Sequence, residues 1–127
     1  MSTHPAFQTE IEFELPKGYV DAEGVLHRDG VMRLATAADE ILPMRDPRVQ
    51  ENEAYLPIIV LARVIMQLGS LKDINTGVIE GLYASDLGYL EELYADFNAQ
   101  GDAIGPAASG KANGGHSLHR IAALGEA

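Results

Sequence analysis

Two histidines three residues apart, His116 and His119, have a spacing that could place both imidazoles on one helical face and bind a metal ion. Zinc sites in proteins use three or four ligands, and no further ligand lies near these two in sequence. The stretch around them is rich in glycine. We therefore predict no metal site and no cofactor.

His27 is followed by Arg28 and Asp29, a grouping that could act as a proton relay. Its place beside a predicted turn favours a solvated or locally hydrogen-bonded imidazole instead. The run Glu91–Glu92 lies on the polar side of an amphipathic pattern, where solvated charge is the usual finding. These residues predict no catalytic pair.

The glycine-rich segment around Lys111 has some likeness to a phosphate-binding loop. That loop requires a Ser or Thr directly after the Gly-Lys pair, whereas Gly110–Lys111 is followed by Ala112. The match fails at the residue that would bind the magnesium ion. With no nucleophile, metal cluster or convergent carboxylates, we predict that the protein is not an enzyme.

Composition narrows the possible partners. The chain has 127 residues, with 19 Asp and Glu against 9 Lys and Arg, for a formal net charge of -10. Such a surface repels nucleic acid and anionic lipid, so protein partners are expected. The absence of cysteine suits folding in a reducing cytoplasm. The length predicts one domain with tails.

The hydropathy pattern predicts neither a secretory signal nor a membrane span. Residues Met1–Gln8 lack a basic region followed by an apolar one. The most apolar stretch, Ala54–Leu68, is shorter than the roughly 20 residues needed to cross a bilayer and contains Arg63. We expect a cytoplasmic protein.

The elements that position these residues begin with a small antiparallel sheet. Residues Glu10–Leu15 alternate strictly between apolar and acidic, which predicts a half-buried strand ended by Pro16. Residues 17–24 are predicted to form a loop. Two further extended segments, 25–27 and 31–35, are predicted to form a hairpin around Asp29–Gly30.

Helices are predicted after Thr36. Thr36 with Asp39 has the spacing of a capping box, followed by a short helix over residues 37–42. Asn52 is predicted to cap a longer helix ending near Gly69, with Pro57 tolerated in its first turn. Two more helices are predicted, at residues 76–83 and 86–98, and the second is the clearest amphipathic pattern in the chain. The fold class is α+β, with a small N-terminal sheet or hairpin followed by a bundle of three to four helices.

Three segments are expected: a flexible N-terminus over residues 1–9, a single domain over 10–98, and a flexible Gly/Ala-rich tail over 99–127. The tail has too little apolar surface to offset its ordering entropy. Within residues 117–124, Leu118, Ile121 and Leu124 recur at helical spacing. Two alternatives remain for this segment: an unstructured terminus, or a docking peptide that orders against a partner or its own domain.

Six segments form one pattern of ordinary residues across roughly residues 10–98. They are Phe13–Tyr19, Leu26–Glu40, Arg63–Ile65, Leu68–Gly69, Ile79–Leu82 and Ala84–Leu90. In this pattern the chain resembles the phage tail assembly protein family, in particular members encoded with phage-tail-like extracellular contractile injection systems. The resemblance implies a tail assembly chaperone or related small factor with no catalytic residues.

These observations lead to the hypothesis of a non-catalytic assembly factor or chaperone for a contractile tail or injection-system particle. Its expected partners are tail tube, tape-measure or baseplate components. The alternative is a structural baseplate or tube-end component retained in the mature particle. The residues predicted to contact partners are Phe13, Leu15, His27, Arg28, Arg33, Leu118, Ile121 and Leu124. The client, copy number and oligomeric state are left open.

Overall fold

The computed structural model describes residues 8–100. The predictions for the N-terminal segment 1–9 and for the tail 99–127, with its docking segment 117–124, concern residues that lie almost entirely outside this range. Within it, an antiparallel three-stranded sheet packs with helices. The predicted α+β class, with an N-terminal sheet followed by helices, is confirmed.

The sheet has the strand order β1-β2-β3. Its strands are β1 (Glu10–Val20), β2 (Leu26–Arg33) and β3 (Ile65–Leu68). The predicted alternation in β1 is confirmed, because Phe13 and Leu15 are buried while Glu12 and Glu14 are exposed. Successive side chains of a strand point to opposite faces, so one face of β1 lies on the core and the other carries carboxylates.

The prediction that Pro16 ends the first strand is wrong. β1 continues to Val20, and its register with β2 shifts between Glu14 and Tyr19. Proline is tolerated here because β1 is an edge strand, where a missing N–H need not break the ladder. Gly18 follows with a φ of 104°, a conformation that favours glycine, so the irregular segment is compatible with this local sequence.

The hairpin turn lies at Asp21–Val25 and not, as predicted, at Asp29–Gly30. The Asp21 carboxylate accepts hydrogen bonds from the backbone N–H groups of Glu23 (2.8 Å) and Val25 (2.9 Å). Asp21 N–H donates to the Val25 carbonyl at 2.9 Å, which closes the turn. An aspartate that binds its own backbone in this way is a common turn-former.

Five α-helices lie within residues 8–100. They are α1 (Ala37–Ile41), α2 (Pro47–Glu51), α3 (Leu56–Val64), α4 (Thr76–Glu80) and α5 (Ala84–Ala99), with short 3-10 helices at Leu42–Arg45 and Glu53–Tyr55. The predicted capping box is confirmed, since Thr36 N–H donates to Asp39 Oδ2 at 2.8 Å. Asp46 is the N-cap of α2, and Pro47 is its first residue.

The prediction of one long helix from Asn52 to near Gly69 is wrong. Asn52 caps only the 3-10 helix, α3 ends at Val64, and the chain continues directly into β3. Pro57 does lie in the first turn of α3, as predicted. The apolar residues 65–68 are compatible with a helix or a strand. They form a strand because they pair with β2.

The C-terminal helices close the core. Asn75, and not Thr76, caps α4 by accepting from Val78 N–H at 3.1 Å, and α4 ends at Glu80. α5 starts two residues earlier than predicted and buries Leu90 with its polar-tipped neighbour Tyr94. The core is assembled from the inner face of the sheet together with α3, α4 and α5. Its most buried members include Leu15, Met32, Leu56, Val60, Leu61, Val64, Ile79, Leu90, Tyr94 and Phe97.

Candidate partner-binding surface

Phe13 and Leu15 were predicted to contact a partner, and the structure places both side chains in the core. The Phe13 ring packs edge-to-face against Tyr89 of α5, with ring centroids 6.5 Å apart. Leu15 has no exposed surface. Side chains buried in this way stabilise the fold, so the prediction that these two side chains bind a partner is wrong.

His27 is buried, which contradicts its predicted contact with a partner and confirms a local hydrogen-bonding role. Its Nδ1 accepts a hydrogen bond from the Ser70 backbone N–H at 3.2 Å, so this nitrogen carries no proton. The proton of a neutral ring therefore lies on Nε2, which donates to Asp21 Oδ2 at 2.8 Å. That hydrogen bond lowers the pKa of Asp21. His27 thus ties the hairpin turn to the segment after β3.

Arg28 lies partly exposed on the outer side of the irregular segment of β1. Its Nε donates to the Leu15 carbonyl at 2.9 Å and a terminal nitrogen donates to the Pro16 carbonyl at 3.3 Å. The same nitrogen is 3.6 Å from Glu14. The guanidinium therefore satisfies two carbonyls where the ladder is interrupted. Its exposed remainder stays available to a partner.

Arg33 binds within the domain instead of projecting freely. It forms a two-pronged contact with the buried carboxylate of Asp39, at 2.7 Å and 3.1 Å. Arg63 of α3 adds a third bond, from Nε to Asp39 Oδ1 at 2.9 Å. These donors hold the pKa of Asp39 well below its usual range, with the Arg33 hydrogen bond as the largest cause. The sequence identified Asp39 as a capping residue, but not its ion pairs with Arg33 and Arg63.

A second buried carboxylate, Asp86, was also missed. It lies in the first turn of α5 with no exposed surface, and its two oxygens accept the backbone N–H groups of Lys17 (2.9 Å) and Gly18 (2.8 Å). The pair of bonds holds the irregular segment of β1 against the start of α5. No local pattern identifies such a role, because donor and acceptor lie almost 70 residues apart.

Replacing Asp86 with Ala is expected to lower the free energy of unfolding by about 3 kcal/mol, because one buried and one partly buried N–H group lose their acceptor. Urea denaturation at neutral pH measures the change. The matched control is Asp96→Ala on the same helix, where the carboxylate is exposed and a change within about 0.5 kcal/mol is expected. Equal losses in both variants would contradict the assigned role.

The buried ionisable groups described above are therefore held in structural contacts. Among residues 8–100, every buried side-chain nitrogen or oxygen has a hydrogen-bond partner. In the same range, no group of three His, Asp or Glu side chains could hold a metal ion. None of the helices in this part of the chain has the length and apolarity required to cross a membrane. Recognition of a partner must then use exposed groups.

The exposed feature with the most binding capacity is the outer edge of β1, defined here as the backbone of Glu10, Glu12 and Glu14. Leu34 N–H donates to the Thr9 carbonyl at 2.9 Å, and Thr9 stands opposite Leu34 in the register of the two strands. Alternate residues of an antiparallel strand point their backbone groups to opposite sides. The three glutamates therefore direct their N–H and C=O groups away from β2.

No other strand of residues 8–100 pairs with this edge. The Gln8 side chain makes a local contact with this edge, donating to the Glu10 carbonyl at 2.9 Å. The three glutamate side chains are exposed on the outer face beside it. Charged residues on an edge strand oppose uncontrolled pairing between like chains. They leave the edge open to a segment that brings positive charge.

The remaining predicted partner residues, Leu118, Ile121 and Leu124, lie outside the described residues. Of the eight predicted residues, the structure leaves Arg28 partly available, ties Arg33 to Asp39, and buries three. No protein-family model, curated protein or solved structure matches this chain.

Proposed function

We propose that this chain is a non-catalytic assembly factor that binds a component of a contractile tail or injection-system particle through the outer edge of β1. The observation that carries the proposal is the open edge, with three glutamates whose backbone groups face away from β2. An extended client segment can add to such an edge as a fourth strand. The link to tail particles depends on the sequence resemblance and stays a prediction.

The electrostatics support a client strand of particular composition. Glu10, Glu12 and Glu14 project from one face beside the edge, and the chain has a net charge of -10. Opposite charges on neighbouring strands stabilise pairing, whereas like charges destabilise it. A client segment with Lys or Arg at alternate positions fits this edge best. The same charge disfavours nucleic acid as a ligand.

The internal ion pairs and hydrogen bonds support binding over catalysis. Within residues 8–100, the buried side chains of Asp39, Asp86 and His27 could have served as acids or bases, and each is held by fixed donors or acceptors of the fold. Groups used in this way stabilise a rigid scaffold. A rigid scaffold keeps an edge strand extended and ready to pair, which lowers the entropy cost of binding.

Replacing Glu12 with Pro tests the edge directly. Proline removes the outward N–H of residue 12, which is not part of the β1–β2 ladder, so the fold should persist. Loss of one interchain hydrogen bond is expected to weaken client capture about three- to tenfold. Affinity capture from the producing bacterium, quantified by mass spectrometry, measures recovery of tail tube, tape-measure or baseplate components on each bait.

Glu12→Gln is the matched control, because it removes the charge and keeps the N–H. Thermal melts of both variants should stay close to that of the unchanged chain. Capture of tail components by Glu12→Pro at the original level would reject strand pairing. Equal losses in both variants would assign the effect to the Glu12 charge and reject strand pairing through the N–H of residue 12. Recovery of no particle component on any bait would reject the proposed function.

The alternative is a structural component that stays in the mature particle. Quantitative mass spectrometry of purified particles distinguishes an assembly factor from a structural component. An assembly factor is expected to be lost before completion, whereas a structural subunit is present at a fixed ratio to the baseplate proteins. Stoichiometric presence would reject the assembly-factor role and leave the β1 edge as an interface within the particle.

A further inference from the structure

Three large apolar side chains are exposed within four residues at the end of α1 and in the 3-10 helix that follows. Ile41 is 57% exposed, Leu42 is 42% exposed and Met44 is 37% exposed. We name these three residues the α1 apolar surface. Apolar side chains grouped on the surface of a domain are typical of a contact site for another polypeptide. The position of this surface in the fold indicates which polypeptide covers it.

The described part of the chain ends beside α1. α5 ends at Ala99, and the Asn98 side chain accepts a hydrogen bond from Ala35 N–H at 2.9 Å, two residues before α1 begins. One turn earlier, the Tyr94 hydroxyl donates to Glu40 of α1 at 2.6 Å. These two contacts hold the C-terminal end of α5 against α1. The C-terminal end of α5, from which residues 101–127 continue, therefore lies close to α1.

The chain beyond this point is long enough to return to α1. Residues 101–117 could span at most about 60 Å if fully extended, far more than the length of a five-residue helix. The segment that follows carries Leu118, Ile121 and Leu124 at helical spacing. Helices of only two turns do not persist alone in water, so this spacing favours a helix only where an apolar surface stabilises it.

A second exposed apolar group lies at the opposite end of the hairpin. Val20 and Val25 are each 48% exposed, and Leu26 is 52% exposed. β1 has eleven residues, so its two ends are about 30 Å apart. Since β2 ends beside Glu10 and α1 follows it, the α1 apolar surface lies at the end of the sheet distant from Val20. A tether of fixed length reaches the nearer surface at the lower entropy cost.

We propose that Leu118, Ile121 and Leu124 cover the α1 apolar surface of the same molecule. Attachment to α5 keeps the segment at high local concentration near this surface, so modest contact area is sufficient for docking. The charge balance allows it, because Asp102 and Glu126 are matched by Lys111 and Arg120 in residues 101–127. The contact would make the surface inaccessible until a partner displaces the segment. It does not depend on the function proposed for the β1 edge.

Paired cysteines in the full chain test this contact, since the natural sequence has none. The test pair is Leu42→Cys with Ile121→Cys, and the control pair is Val20→Cys with Ile121→Cys. Leu42 and Val20 are similarly exposed, so reactivity differs mainly through proximity. Under dilute conditions with oxidised glutathione, the test pair is expected to form a monomeric disulfide at least about fivefold faster than the control pair.

A second measurement avoids the cross-link. In the full chain, Ile121→Asp is expected to shift the backbone amide resonances of Ile41, Leu42 and Met44, whereas Ala107→Asp adds the same charge closer to α5 and leaves them in place. Equal disulfide rates for the two pairs, or unchanged amide resonances with Ile121→Asp, would overturn the proposal. Disulfide-linked dimers whose yield rises with protein concentration would also overturn it, by assigning the contact to a second copy.

Discussion

Replacing Asp39 with Ala is expected to lower the free energy of unfolding by about 3 kcal/mol at neutral pH. The Asp39 side chain is 3% exposed and binds Arg33 and Arg63 at distances of 2.7 to 3.1 Å. Removing one member of a buried ion pair leaves its partners uncompensated, which costs about 3 to 5 kcal/mol. The two arginines are about one-third exposed, so solvent screening places the cost at the lower end.

Urea denaturation followed by circular dichroism measures this change. Glu12→Gln is the control, because Glu12 is an exposed carboxylate and its replacement should alter the free energy by less than about 0.5 kcal/mol. The loss of stability in Asp39→Asn should lie between those of Asp39→Ala and Glu12→Gln, since the amide oxygen can still accept from one donor. An Asp39→Ala variant as stable as the control would show that the arginines find other partners.

The same carboxylate predicts a pH dependence. The pKa of Asp39 is lowered from its usual value of 3.8 by the hydrogen bonds from Arg33 and Arg63 and from the Thr36 amide, which act against burial. Its stabilising contribution is therefore fully present above about pH 4 and is lost as pH falls further. The gap in stability between the unchanged chain and Asp39→Asn should be constant from pH 5 to 8 and narrow below pH 4. A gap that widens on acidification would contradict the assignment.

Replacing Gly30 with Ala is expected to have the other large effect, a loss of about 2 to 3 kcal/mol. A Cβ atom at this position would overlap Cζ of Phe13 and lie 2.6 Å from the backbone oxygen of Gln67. The Gln67 oxygen belongs to the backbone of β3, so moving it would disturb the sheet. The Phe13 ring is held by its contact with Tyr89. Overpacking of this kind typically costs about 1 to 3 kcal/mol.

Gly88→Ala in α5 provides the contrast. A Cβ atom at residue 88 meets nothing within 4 Å, and the residue lies inside a helix. Alanine is favoured over glycine there by about 0.5 to 1 kcal/mol, so this variant should be more stable than the unchanged chain. Thermal unfolding of both variants in the same buffer tests whether Gly30→Ala lowers the melting temperature and Gly88→Ala raises it. Similar melting temperatures for Gly30→Ala and Gly88→Ala would contradict the close approach at Gly30.

Gly30 also shows why the hairpin was misplaced. An Asp-Gly pair between extended segments is typical of a tight turn, since glycine adopts positive φ angles freely. In the structure Gly30 is in the middle of β2, opposite Phe13, and lacks a positive φ. The glycine is needed because an aromatic ring from the next strand occupies the space of a side chain. The Asp-Gly pair has the same sequence whether it forms a turn or lies within a strand.

The features predicted correctly depend on neighbours in sequence. The alternation of β1 follows from the two-residue period of a strand. The contact between Thr36 and Asp39 needs a spacing of three residues, and Pro57 fits only the first turn of a helix. The amphipathic pattern of α5 identified the helix to within two residues at its start. Each of these follows from a few successive residues.

The sequence by itself determined the α+β class, the outward row of glutamates on the first strand and the strongest helix, because periodicity and capping are local properties. The tertiary structure alone decided that residues 65–68 form β3 instead of extending α3, since the choice depends on hydrogen bonds to β2 more than thirty residues away. It also decided that Asp39 and Asp86 are buried. Burial of a side chain is set by what packs over it, and those partners come from distant parts of the chain.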